Sequence, residues 1–331
     1  MSKENFNYWK ELVGLEDTEF PQLIPLTDEN IDRAAIVQTR IMEIKAAVAA
    51  NNLVDIQVQP GWGATTLFRY LKQELKKDNL TLLVPFDFES NRLDGSLTEE
   101  QFVFQTKWKL AGEICKMFRD KPMQPLYMYE VLDYEDNGTS PWPGHLRKKM
   151  KALGECEKNA EKFYEAFPFF AKRPIDVCVN YFLANFQIRT VYLYLFPRKV
   201  GEDPMFELVG MMKNIYDGKE IQPAAMREIY VCTPKVFCQL RDTYERPFHD
   251  VTYVRYSAAE MFKMLVATYR NENAAFQSIS DVFEESFISE AYSERSSLIQ
   301  IMEKVSKNLE AFLDGPTAQI PYKLTRKENE Q

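Results

Sequence analysis

The stretch LVDIQVQPGWGATTLFRYLKQELKK, residues 53–77, constrains the fold more than any other part of the chain. A β-branched, apolar run ends at a loop containing Gly61 and Gly63, and the residues beyond the loop bring Leu67, Tyr70, Leu71 and Leu75 to one side of a helix. LTLLVPFDF (80–88) then reads as a buried strand, and IRTVYLYLF (188–196), REIYVCT (227–233) and DVTYVRYS (250–257) as further ones. Helical segments fall between them. TDEN (27–30) can cap a helix through IDRAAIVQTRIMEIKAAVAA (31–50), and DPMFELVGMMKNIYDG (203–218) opens on Asp-Pro and closes on glycine. Alternation of this kind predicts a three-layer α/β domain, a mostly parallel sheet with helices on both faces.

The expected organisation is a lead segment over 1–27, the α/β domain over 28–257 with an insertion at about 90–187, a helical lid over 258–314, and a frayed tail over 315–331. Past SAAEMFKMLVATYR the chain reads as helix to about Leu313, with no further strand. There is no internal repeat and no low-complexity tract.

The loop has the register of the phosphate-binding pattern G-x-x-x-x-G-K-[ST], with Pro60, Gly61, Trp62, Gly63, Ala64, Thr65 and Thr66 as the candidate nucleotide contacts. Val58 stands where the first glycine belongs and Ala64 where the lysine does. That lysine reaches the β- and γ-phosphates, so its loss removes the fixed cation. The alternative is an ordinary strand-to-helix turn that needs φ > 0 at its glycines. Thr65 and Thr66 suit a helix start with or without phosphate. Trp62 can stack on a base or partner, or pack against neighbouring apolar surface.

Charge and cysteine usage weigh against several function classes. The net charge is -8 and the pI about 5.2, against the basic balance of a phosphate-backbone binder. The one clear basic cluster, RKKMK (147–151), reads as a solvated helix face with nucleic-acid contact as the minority alternative. Cys115, Cys156, Cys178, Cys232 and Cys238 form no C-x-x-C pair, and His145 and His249 stand far apart. Neither a zinc site nor a disulfide framework is signalled, and a reducing cytoplasm fits. No apolar run reaches membrane-spanning length, and MSKENFNYWKEL lacks the apolar core of a signal peptide.

Three segments together resemble the AAA+ and STAND group of P-loop ATPases, in the style of origin-recognition initiators and transposition-regulator ATPases. QPGWGATTL is similar to the group's P-P-G-x-G-K-T-T. YERPFHDVTYVRYSAAEMFKMLVATYR resembles its passage from the sensor region into the lid, and SERSSLIQIMEKV its sensor-2 helix. The resemblance covers about 28–313 and implies a sensor-1 position at Thr233, an intersubunit arginine at Arg246 and a sensor-2 arginine at Arg295. It also places the Walker B strand at VYLYLFPRKV, where Phe196 and Pro197 occupy the acidic positions and Arg198 and Lys199 follow. Asp87 and Glu89 end a strand that this group keeps at the sheet edge, away from the phosphates.

Without the lysine and the magnesium-holding acid, phosphoryl transfer loses two electrostatic contributions. The expectation is therefore a non-catalytic pseudo-ATPase, a structural or regulatory subunit with a protein partner, another AAA+ subunit among the possibilities, and with ATP or ADP bound at low affinity if at all. A slow ATPase completed by a neighbour's cation and an ATPase-like nucleic-acid adaptor are the alternatives. With the sequence running only a little beyond FLDGPTAQIPYKL, no winged-helix segment is expected after the lid. No metal site is expected. The aromatic, proline-rich segment from Met123 to Trp142 is either a protein interface or core.

Overall fold

Alternation of strand and helix carries through to the tertiary structure. In the computed structural model, residues 28–29, 31, 35–88, 98–120, 130–134, 142–196, 208, 210–212, 221–222, 224–244 and 250–254 are described. Strands β1 (Leu53–Val58), β2 (Thr81–Asp87), β3 (Arg189–Leu195), β4 (Met226–Cys232) and β5 (Asp250–Val254) form one sheet in the order β2-β3-β4-β1-β5. β2 runs parallel to β3, β3 to β4 and β4 to β1. Every residue of β1 and all but the first of β3 are buried. Strands buried on both faces are those of a parallel sheet with a helical layer on each side. The chain thus has the expected three-layer, P-loop NTPase-like α/β fold, with β2 at the sheet edge as the resemblance requires.

The helices are α1 (Ala35–Ala50), α2 (Ala64–Lys76), α3 (Glu99–Asp120), α4 (Trp142–Glu155), α5 (Ala160–Ala166), α6 (Pro168–Lys172), α7 (Ile175–Phe186) and α8 (Pro234–Tyr244). Two compact units are distinguished. One takes in 1–46, 58–70 and 253–331, and the other 47–57 and 71–252. In the first, the described residues include the glycine loop and the start of α2, where Arg69 pairs with Asp28 at 2.6 Å. The second holds most of the sheet and all of α3 to α8. The expected lid (258–314), the lead segment (1–27) and the tail (315–331) lie outside the described residues.

Register gives the sheet two unlike faces. Tyr194 is paired with Phe86 on β2 and with Tyr230 on β4, so these three side chains share one face. Their rings stack, at 5.7 Å from Phe86 to Tyr194 and 5.0 Å from Tyr194 to Tyr230. The alternate residues, Leu193 and Leu195 on β3 with Ile229 and Val231 on β4, are aliphatic and buried. The aromatic face packs on the helices that join β2 to β3. Phe102 of α3 lies 4.8 Å from Phe86, and the cluster runs on through Phe118, Phe163, Phe170 and Phe182. α3 is started by a capping box in which Thr98 Oγ1 accepts from Gln101 N (3.2 Å) and Gln101 Oε1 from Thr98 N (3.0 Å).

Proline inside β2 is tolerated because the strand is at the edge, where one side of its backbone needs no ladder partner. The carbonyl of Pro85 accepts from Lys109 Nζ at 2.7 Å, and that ammonium lies 4.7 Å from the Phe86 ring. Burial lowers the Lys109 pKa to about 8.

The insertion is the crossover layer itself rather than an appendage. Phe118 of α3 touches Trp142 of α4 (6.2 Å) and Phe186 of α7 (5.6 Å), tying three helices at one point. Within the segment from Met123 to Trp142, the described aromatics turn inward. Tyr134 is buried and lies 5.2 Å from Trp142 and 5.0 Å from His145, while Val131 and Leu132 are fully buried. These side chains are core, and the rest of the segment lies outside the described residues. The basic cluster is also not uniformly solvated. Arg147, Lys148 and Lys151 are exposed, but Lys149 donates to the Ala166 carbonyl (2.7 Å) and lies 5.4 Å from the Phe167 ring. It serves the C-terminal end of α5, where a cation meets the unsatisfied carbonyls.

Because Phe118 is shared by the crossover helices, Phe118→Ala should cost about 3–5 kcal/mol. It should shift one common urea transition, followed by far-ultraviolet dichroism and by tryptophan fluorescence. A separate early transition with the sheet intact would mean that the helices of 99–186 fold as an independent body.

Candidate functional site

β1 delivers the chain to the loop at Val58, and α2 begins at Ala64. Between them Gly61 takes φ 81° and Gly63 φ 99°, in the left-handed region that only glycine enters freely. The turn is fixed by Trp62 N donating to the Gln59 carbonyl (3.0 Å) and by Leu67 N donating to the Gly63 carbonyl (2.8 Å), the first hydrogen bond of α2. Two glycines of positive φ before a helix N-terminus are what a phosphate-cradling turn needs, and equally what a tight strand-to-helix turn needs.

The side chains decide what the turn can do. Trp62 is 1 % exposed, so its ring is packed and presents no free face for stacking. Ala64 is buried at the helix start, and its methyl group supplies no charge where the pattern has an ammonium. Pro60 is exposed, and Thr65 and Thr66 are half-buried on the first turn of α2.

In the other unit, β3 ends at Leu195, and the resemblance sets the Walker B acids at the residues that follow it. Phe196 there is buried, 5.5 Å from Phe88 and 6.0 Å from Tyr230, and continues the aromatic stripe of the sheet face. Pro197, Arg198 and Lys199 lie outside the described residues. Thr233, directly after β4, is buried, and its Oγ1 accepts from Val236 N at 3.4 Å while its carbonyl accepts from Phe237 N at 2.9 Å. That is the geometry of a helix N-cap for α8. Arg246 and Arg295 lie outside the described residues, and so does Glu89.

One polar group that sequence reasoning passed over lies in the sheet interior. Asp55 of β1 is fully buried. Its Oδ1 accepts from Cys232 Sγ of β4 at 3.0 Å, and Gln57 adds a side-chain hydrogen bond. Its Oδ2 has no hydrogen-bond partner. Burial raises the Asp55 pKa to about 7, with the Cys232 and Gln57 hydrogen bonds opposing the rise. The signal was visible as an acid inside LVDIQVQ, a run otherwise fit for a strand buried on both faces.

Among the described residues no group of three or more His, Cys, Asp or Glu is placed to hold a metal, and no helix is long and apolar enough to cross a membrane. The fold is a P-loop NTPase-like α/β fold, and its glycine turn contains no lysine. No family model matches the chain, and no curated protein matches it. Among solved structures it is similar to Cdc6p from Pyrobaculum aerophilum, at 10% identity and a TM-score of 0.33, over 92% of this chain. The chain spans 65% of the length of that structure.

Since Gly63 holds a φ that a Cβ penalises, Gly63→Ala should destabilise the protein by about 1–3 kcal/mol in the absence of any nucleotide. Thermal melting of ligand-free protein checks this. An unchanged melting temperature would show that the turn relaxes without its glycine.

Proposed function

We propose that the chain is a non-catalytic AAA+-like module that acts as a structural or regulatory subunit through contacts with another protein. The observation that carries this reading is the substitution of both charged positions by packed apolar groups, Ala64 at the start of α2 and Phe196 at the end of β3. A phosphoryl-transfer site works by placing a cation on the phosphates and an acid on the magnesium ion, and each contributes only as a fixed charge close to the transferring group. A methyl group and a phenyl ring supply neither. Phe196 is moreover stacked into the sheet's aromatic face, so its position is committed to the core.

An inactive site need not abolish assembly. In rings of this group the nucleotide lies between subunits, and a member without catalysis can still offer an arginine to a neighbour. Arg246 is the residue assigned that role here. The described aromatics of the insertion are core, so the partner contact is assigned to the Arg246 face rather than to Tyr134 or Trp142.

Purified protein should hydrolyse ATP no faster than background. Turnover of about 1 per second or more, abolished by Gly61→Ala or Thr65→Ala, would overturn the reading in favour of an ATPase. Ala64→Lys should raise nucleotide affinity modestly at most in a fluorescent-nucleotide titration, because Val58 and Trp62 remain buried beside an otherwise unaltered turn.

The same proposal makes the protein recoverable from its native extract together with another protein, at a size above its 38.8 kDa mass. Arg246→Ala should weaken that recovery while leaving the melting temperature unchanged. Recovery as a lone monomer, or an Arg246 variant that retains its partner in full, would sink the assigned contact.

A further inference from the structure

The face of the sheet that carries the aromatic stripe also carries acids. Register pairs Asp55 with Tyr230, Leu53 with Glu228 and Gln57 with Cys232, so Asp55, Gln57, Glu228, Tyr230 and Cys232 all project to one side of the β1–β4 seam. All five are buried. Cys232 Sγ donates to Asp55 Oδ1 at 3.0 Å, and the Tyr230 hydroxyl donates to Glu228 Oε2. The second Asp55 oxygen is buried without a hydrogen-bond partner.

An ionised carboxylate in such a place needs a cation or several donors. Among the described residues no Lys, Arg or His pairs with Asp55. The groups that act on it are Gln57 from its own strand and Cys232 from β4. The thiol is itself held neutral by burial and by the neighbouring Asp55, with Cys238 of α8 acting in the same direction. Glu228 stands on the same seam as a second acid.

We propose that the β1–β4 seam is a proton-operated clamp, closed while Asp55 is the neutral acid and loosened when Asp55 gives up its proton. In the closed state the Cys232 thiol and Gln57 hold the carboxyl group, and the free oxygen carries the proton. Loss of that proton leaves a buried anion whose uncovered oxygen can be hydrated only by opening the seam. The two strands that would part are β1, which leads into the glycine loop, and β4, which ends just before Thr233.

The direction and window follow from linkage. An unfolded or opened Asp releases its proton near 3.8, whereas the closed seam keeps it to about 7. The closed seam is therefore fully stable below the lower value, loses stability as pH rises toward the upper one, and changes little above it.

Amide hydrogen exchange, read by mass spectrometry on peptides from β1 and β4 and corrected for intrinsic rates, tests the clamp. Protection in the native chain should fall roughly tenfold between about pH 6 and about pH 8. Asp55→Asn should abolish that change, while Glu228→Gln should keep it. Unchanged protection in the native chain, or an Asp55→Asn variant with the full pH response, would overturn the proposal. Should either variant fail to fold, infrared spectra of native protein with isotope-labelled aspartate decide it. A neutral aspartic-acid carbonyl band that fades across the same interval is the expected result, and its absence at about pH 6 would overturn the clamp.

Discussion

The stacking of Phe86, Tyr194 and Tyr230 across three neighbouring strands is the interaction on which the described part of the larger unit depends. Rings on a pleated surface align only when strand register puts them opposite one another, and β2, β3 and β4 are registered so that they do. Each ring buries a large apolar area, and the offset contacts add to it. Because the stripe is flat and wide, it needs a broad cover. α3 and the helices that follow it supply that cover with Phe102, Phe118, Phe163, Phe170 and Phe182. The long segment between β2 and β3 supplies the helices that cover this aromatic face.

The same stripe accounts for the placement of Phe196, which the resemblance sets at a Walker B position. Phe196 extends β3 by one residue on the aromatic face and joins Phe88, Tyr194 and Tyr230. A carboxylate there would have to be desolvated among rings, at a cost of several kcal/mol without a metal to offset it. Packing thus commits Phe196 to the core of the sheet's aromatic face. The loop shows the complementary outcome. Its glycines keep positive φ, and the Trp62 N–H and the Gly63 carbonyl are both bonded within the turn or the first turn of α2.

How much of this was legible in the sequence depended on whether a local pattern carried the information. β1, β3 and β4 could be read because β-branched and aromatic runs bounded by turn residues have few other uses, and the strand boundaries agree to within a residue or so. The glycine turn was legible for the same reason. Tyr134 and Trp142 could not be assigned, since a Pro-braced aromatic segment has the same composition whether it faces a partner or the core. Lys149 was misjudged within its cluster because i, i+1 spacing conceals which of several adjacent cations turns inward, a matter settled by the distant Ala166 carbonyl. Thr233 was ambiguous on principle, because a sensor hydroxyl and a helix cap call for the same residue type.

Asp55 raises the sharper question of why a sheet so well supplied with apolar residues retains acids at its centre. An aliphatic pair in place of Asp55 and Cys232 would fill the seam without desolvating a carboxyl group, and replacement of buried polar pairs by apolar ones is commonly neutral or stabilising. The retained pair leaves one carboxyl oxygen without a partner, so it is not a finished network that repays its own burial. Its position is also specific. It joins the strand that enters the glycine loop to the strand that ends at Thr233, and it lies beside a second acid, Glu228, bonded to a ring of the central stripe. A polar group that weakens the seam in one protonation state and spares it in the other gives these two strands a sensitivity that a wholly apolar seam would lack.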